Sequence, residues 1–190
     1  MTPFLITGLP RSRTAWMAKA CSVFGVSMCL HEPLRWLDRW EDVFTAIWRP
    51  RFALDFVGVS DHGFGFHLPA IMERLAPRTL IIERPIAEVE ASWERVSGLP
   101  AGNFCTLLAE CLAFDHPQIK RVGYADLDST DTVLDCMAWL MPGLRVSRKE
   151  IDRLQGVNVQ ADIEGIIKEA VSRRDDLPKL FPADILARLA

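Results

Sequence analysis

The sequence predicts an α/β fold with three layers, α/β/α, around a central and mainly parallel sheet. Short apolar runs of strand length alternate with longer stretches whose apolar residues recur at helical spacing, and that order makes parallel strands covered by helices on both faces. No linker, internal repeat or low-complexity tract interrupts the alternation. With 190 residues, 49% of them hydrophobic and 25% charged, the chain can bury one substantial core, so a single domain over 1–190 is expected, its C-terminal part from about 131 helical.

The elements follow in order. "PFLIT" is a buried strand, Thr14 to about Phe24 a helix, and "VSMCL" a second strand. "PLRWLDRWEDVFTAIW" brings aromatic and aliphatic residues round every three or four positions, which predicts one amphipathic helix with Trp36, Trp40 and Trp48 as core or groove wall. "FALDFVGVS" reads as strand, "FHLPAIMERLA" as helix, "TLIIER" as strand and "IAEVEASWERV" as helix. The helix "FCTLLAECLAF", the strand "KRVGYADL" and a helical tail from "DTVLDCMAWL" complete the chain.

Composition narrows the function. A formal net charge of −3 argues against a general nucleic-acid or anionic-membrane surface, which normally carries a basic excess, so any anion site is local. The apolar run before the first arginines is too short for a signal peptide, and no window reaches ~18 uninterrupted apolar residues, so a cytoplasmic protein is expected. Cys21, Cys29, Cys105, Cys111 and Cys136 lack CxxC spacing and lie among apolar neighbours, which predicts buried thiols.

The informative stretch is "ITGLPRSRTAW", residues 6–16, where a strand, a glycine, a proline, two arginines and two hydroxyl residues lead into a helix. A helix N-terminus offers unpaired N–H groups and the positive end of its dipole, and arginine adds bidentate donors, so this turn suits phosphate or sulfate. It is not a Walker A loop, because Arg13, Thr14 and Ala15 follow where that motif needs glycine, lysine and a magnesium-binding hydroxyl. In open parallel sheets ligands gather beyond the carboxyl ends of strands, which is where the turn falls.

"LPRSRTAW" resembles the P-R-S-G-T-T-W loop of the sulfotransferase family, a P-loop-like fold whose loop cradles the 5′-phosphosulfate of 3′-phosphoadenosine 5′-phosphosulfate (PAPS). Further matches follow in order: "LIIERPIAEVEASW" resembles the family's R-D-P-x-x-x-x-x-S-W/Y segment, and "VGYADLDSTDTVLDCMAWLMPGL" its structural Y-E-D-L strand and following helix. The resemblance spans roughly residues 3 to 155. It implies PAPS as donor with no metal required, Pro10, Arg11, Ser12, Arg13, Thr14 and Ala15 around the phosphosulfate, and Arg84 with Ser92 on the 3′-phosphate. Arg11 would also stabilise charge during transfer.

Transfer needs a base for the acceptor proton, which in this family is a histidine or a glutamate. Glu32 in "LHEPL" follows the second strand, and Pro33 is expected to hold it extended. His62 in "GVSDHGFGFH" follows the third strand, near where relatives carry K-T-H, and imidazole is the side chain most often used as a general base. Asp61 would orient His62 or cap the loop. His31, His67 and His116 have no comparable setting.

The chain departs from the family pattern in three places. Arg13 replaces the loop glycine and either points to solvent or reaches over the donor; the lysine of K-T-H is absent; and nothing after Leu154 matches the late R-K-G-x-x-G-x-W-K segment. Arg173 and Arg174 read as a solvated helix end. The expected function is therefore transfer of a sulfuryl group from PAPS to a hydroxyl or amine of a small-molecule or carbohydrate acceptor. A kinase-like P-loop enzyme and a non-catalytic nucleotide-sensing module are the alternatives, the latter favoured by the missing lysine and loop glycine.

Overall fold

The structure is a computed structural model that describes residues 2–157 apart from 36, 38, 48–53 and 99. Five strands form one all-parallel sheet in the order β2-β3-β1-β4-β5: β1 (Thr2–Gly8), β2 (Ser27–His31), β3 (Phe56–Ser60), β4 (Arg78–Glu83) and β5 (Ile119–Gly123). The helices are α1 (Thr14–Cys21), α2 (Trp40–Ile47), α3 (Leu68–Arg74), α4 (Ile86–Ser97), α5 (Phe104–Leu112), α6 (Thr130–Leu140) and α7 (Arg148–Gln155).

Period-two alternation along the strands feeds two cores. Phe4, Ile6, Leu80 and Ile82 face one side and pack with Met17, Val133, Met137 and Ile151 of α1, α6 and α7. Leu5 and Ile81 face the other and pack with Phe44, Ile71 and Leu108 of α2, α3 and α5. The predicted three-layer α/β/α architecture is thus the one observed. The packing reading of Trp40 also holds, since Trp40 is buried beside Phe44 and His67. Trp36 and Trp48 lie outside the described residues, as do Arg173 and Arg174 and the expected helical tail beyond 157.

Several boundaries differ from expectation. The predicted helix over 33–48 is broken: Pro33–Arg35 form a short 3-10 turn, and α2 begins only at Trp40. Helix α1 stops at Cys21 rather than Phe24, where the Ser22 hydroxyl donates to the Ala18 carbonyl and accepts from the Cys29 N–H, tying the chain back to β2. A 3-10 segment, His62–His67, precedes α3, and Phe66 belongs to it. Strand β5 ends at Gly123, so Tyr124 to Asp128 is not strand; Ala125–Asp128 form another 3-10 turn. Cys21, Cys29, Cys105 and Cys136 are buried, Cys111 is half-buried, and all five are free thiols. Burial raises the Cys136 thiol to about 11. Among the described residues no helix is long and apolar enough to cross a membrane.

Candidate anion site at the carboxyl edge of the sheet

The register aligns the strand ends: Gly8 lies beside Ile82, His31 beside Ser60 and Glu83 beside Gly123. The segments that leave these ends therefore share one edge. At Gly8 a Cβ would stand 2.5 Å from the Ile82 carbonyl oxygen, so the chain can turn away from the sheet here only without a side chain.

The turn that follows takes an unusual path. Arg11 (φ 64°) and Arg13 (φ 63°) are both left-handed, while Ser12 between them is not. Such alternation turns successive backbone N–H groups toward one side, the arrangement of an anion-binding nest. Helix α1 begins directly after it, its first internal bond running from the Met17 N–H to the Arg13 carbonyl, so the preceding N–H groups have no acceptor within the helix. No side chain caps it. Ser12 is fully buried and its Oγ has no partner, a state it shares with Thr7 Oγ1 one residue before Gly8. Thr14 is buried, and its carbonyl accepts the Ser60 hydroxyl at 3.0 Å. Pro10 and Ala15 flank the turn, and Trp16 belongs to the core, where its Nε1 donates to the Leu154 carbonyl at 3.0 Å.

Arg84 leaves the end of β4 and donates from Nη1 to the Arg11 carbonyl at 2.6 Å, while Arg11 Nε donates to Ser92 Oγ on α4 at 3.5 Å. Arg11, Arg84 and Ser92 are thus brought together around the turn. Arg84 Nε also pairs with Glu88 at 3.3 Å. Arg13 is anchored by side chains of its own fold instead of standing free in solvent. Its guanidinium pairs with Asp128 at 2.7 Å and lies over the Tyr124 ring, 4.6 Å from the centroid. Tyr124 and Asp128 were not among the predicted site residues; the stretch "YADL" reads as strand in sequence, and its break at Gly123 is what delivers both to the site.

A second group gathers at the ends of β2 and β3. The Glu32 N–H donates to the Ser60 carbonyl at 2.7 Å, and the residue is left-handed (φ 49°), not extended. Proline disfavours the right-handed helical region for the residue before it and favours extended backbone, and Glu32 departs from that preference into the left-handed region. Asp61 is buried and accepts from the N–H groups of Gly63 (2.8 Å) and Leu34 (3.2 Å), with its Oδ1 3.9 Å from His62 Nδ1. It both caps the turn and faces the imidazole. Burial is the main cause that pushes the Asp61 carboxyl above the usual range; His62 opposes this and the Glu32 charge adds to it. His62 keeps about a third of its side chain exposed (34%) and packs edge-on against Phe104. Among the described residues no cluster of His, Cys, Asp and Glu is arranged to hold a metal ion.

The chain matches no family model and no curated protein. A solved structure, a sulfotransferase from Alicyclobacillus acidocaldarius, superposes on 95% of this chain and 94% of its own length with a TM-score of 0.54 and 12% sequence identity. That likeness is one of fold, and it gives this chain a sulfotransferase-like architecture.

Proposed function

We propose that this protein is a transferase that moves a sulfuryl group from PAPS to a hydroxyl or amine of a small-molecule or carbohydrate acceptor. The observation that carries the reading is the turn after β1, where a buried, unpartnered Ser12 hydroxyl sits between two left-handed arginines at a helix N-terminus. An orphaned buried hydroxyl costs about 1–3 kcal/mol, a cost relieved when an anion accepts a hydrogen bond from it. The residues present fit a phosphosulfate on these grounds, and the sulfotransferase-like fold supports the choice of donor.

When bound, the donor supplies the sulfuryl group; the chain's own residues do the rest. Ser12, Thr14 and the N–H groups at the start of α1 hold the anionic end, with Pro10 and Ala15 framing the loop and Arg11 adding positive charge where charge develops. Arg84 and Ser92 engage the 3′-phosphate by exchanging the bonds they make to Arg11. Glu32 or His62, at the ends of neighbouring strands, takes the acceptor's proton, with Asp61 orienting His62. No metal is assigned a part.

The nucleotide-sensing reading keeps one observation in its favour. Where relatives carry the lysine of K-T-H this chain has Ser60, which is buried and spent on the Thr14 carbonyl, so the chain supplies no cation from that position.

A thermal-shift comparison tests the reading. Adenosine 3′,5′-bisphosphate should raise the melting temperature more than ATP with magnesium, because only the former offers a 3′-phosphate. At a hundred times its Kd the stabilisation should reach about 2.7 kcal/mol. Equal shifts, or a larger one with ATP and magnesium, would speak for a kinase-like site.

A further inference from the structure

Two chain segments converge on the ring of Tyr124, which itself follows β5. Its N–H donates to the Glu83 carbonyl at 2.7 Å, which fixes the residue beside the end of β4. The guanidinium of Arg84, the residue that follows that strand, lies over the ring 4.0 Å from the centroid and reaches on to the Arg11 carbonyl. Arg13, from the turn after β1, places its guanidinium over the same ring. Two like charges gathered on one small ring repel each other, and the ring's negative face is one of the groups that offsets the repulsion. The Arg11 carbonyl is another; Asp128 and Glu88 also contribute, but their side chains are 70% and 55% exposed, so water screens much of their effect.

We propose that Tyr124 is a positioning residue of the anion site: its ring holds Arg13 and Arg84 as a pair beside the turn after β1. The inference rests on the reading of that turn as an anion site. It also gives Arg13 a use in a position where a glycine would spare the backbone its left-handed strain. Through Arg84 the ring acts on the Arg11 carbonyl and hence on the turn itself, so the aromatic face matters and the phenol hydroxyl does not.

Tyr124 is the only tyrosine in the chain, so the full-length protein labelled with 3-fluorotyrosine gives a single fluorine resonance that reports on this ring. Without any ligand, Arg13→Ala and Arg84→Ala should each move that resonance; a resonance indifferent to either change overturns the pairing. In calorimetric titration with adenosine 3′,5′-bisphosphate, Tyr124→Leu should weaken binding about fivefold to tenfold while Tyr124→Phe stays within about twofold of wild type. Equal losses in both variants, or none in either, overturn the role assigned to the ring. If wild type does not bind the bisphosphate, the sulfotransferase reading falls, and the fluorine measurement alone decides whether Tyr124 gathers the two arginines.

Discussion

Arg13 sits at φ 63° as the residue that opens α1, in a backbone region that costs a side-chain-bearing residue about 1–2 kcal/mol and glycine almost nothing. Its compensation is the Asp128 pair and the Tyr124 ring, each worth about 0.5–1 kcal/mol at an exposed site. Arg13→Ala should therefore lose the contacts and keep the strain, whereas Arg13→Gly loses the contacts and the strain together. Chemical denaturation should find the glycine variant more stable than the alanine variant by about 1 kcal/mol; the reverse order would mean that the left-handed turn is not strained. The bases differ in the same local terms. If His62 is the base, oriented by Asp61, His62→Asn should lower sulfuryl transfer by about 10²–10⁴-fold with bisphosphate affinity unchanged, and Glu32→Gln should not. If Glu32 is the base, the losses exchange. Radiolabelled sulfate from PAPS, followed into a panel of alcohols, phenols, sugars and amines, reads the outcome. The position of Arg11 and Ser12 at a turn between a strand and a helix was legible in sequence because that is a local pattern, whereas Arg84 and Ser92 were singled out only by the family resemblance; the structure brings Arg11, Arg84 and Ser92 together. The Arg13 pair with Asp128 was not legible, because it depends on where β5 stops, and the left-handed turn of Glu32 was not, because the proline after it favours extended backbone and the fold overrides that local preference.

Among the elements, the central strands were the most legible, since a strand buried on both faces carries an apolar run, as "FLI" in β1 and "LII" in β4 do. The helices over 33–48 and 14–24 were overdrawn for one reason: hydrophobic periodicity reports a face to be buried, and it does not report where the backbone finds another partner. After Pro33 the chain makes only a 3-10 turn, docked by the Leu34 N–H on the Asp61 carboxylate, and after Cys21 the Ser22 hydroxyl takes the Cys29 N–H. Strand packing also has a constraint that composition hides. Gly58 lies beside Phe4 in the β1–β3 register, and a Cβ on Gly58 would overlap the fully buried Phe4 ring. Gly58→Ala should thus act as overpacking between the two central strands and cost about 1–3 kcal/mol. For a chain of this length that corresponds to roughly 2–4 °C in melting temperature per kcal/mol. A scanning-calorimetry midpoint unchanged by the substitution would show that Phe4 can move aside without loss.

At the scale of the whole molecule, the sheet is the wall between two cores, and this bears on whether the chain unfolds as one unit. Leu108 of α5 and Met137 of α6 are both fully buried, one on each face, and each packs against alternate residues of the same strands. Neither core can open without exposing the other side of β1 and β4, and the bond from Trp16 Nε1 to the Leu154 carbonyl further ties α1 to the segment following β5. A single cooperative domain follows as a proposal with a direct test. Leu108→Ala and Met137→Ala should each cost about 2–5 kcal/mol through lost burial and a residual cavity. In urea, far-UV circular dichroism and tryptophan fluorescence should trace one coincident transition for wild type and both variants, with similar slopes. Because the two sites share no partner across the sheet, the double variant should lose the sum of the single losses to within about 0.5 kcal/mol. Two separable transitions, each sensitive to only one substitution, would instead mean that the halves of the molecule fold independently and that the anion site spans a boundary between them.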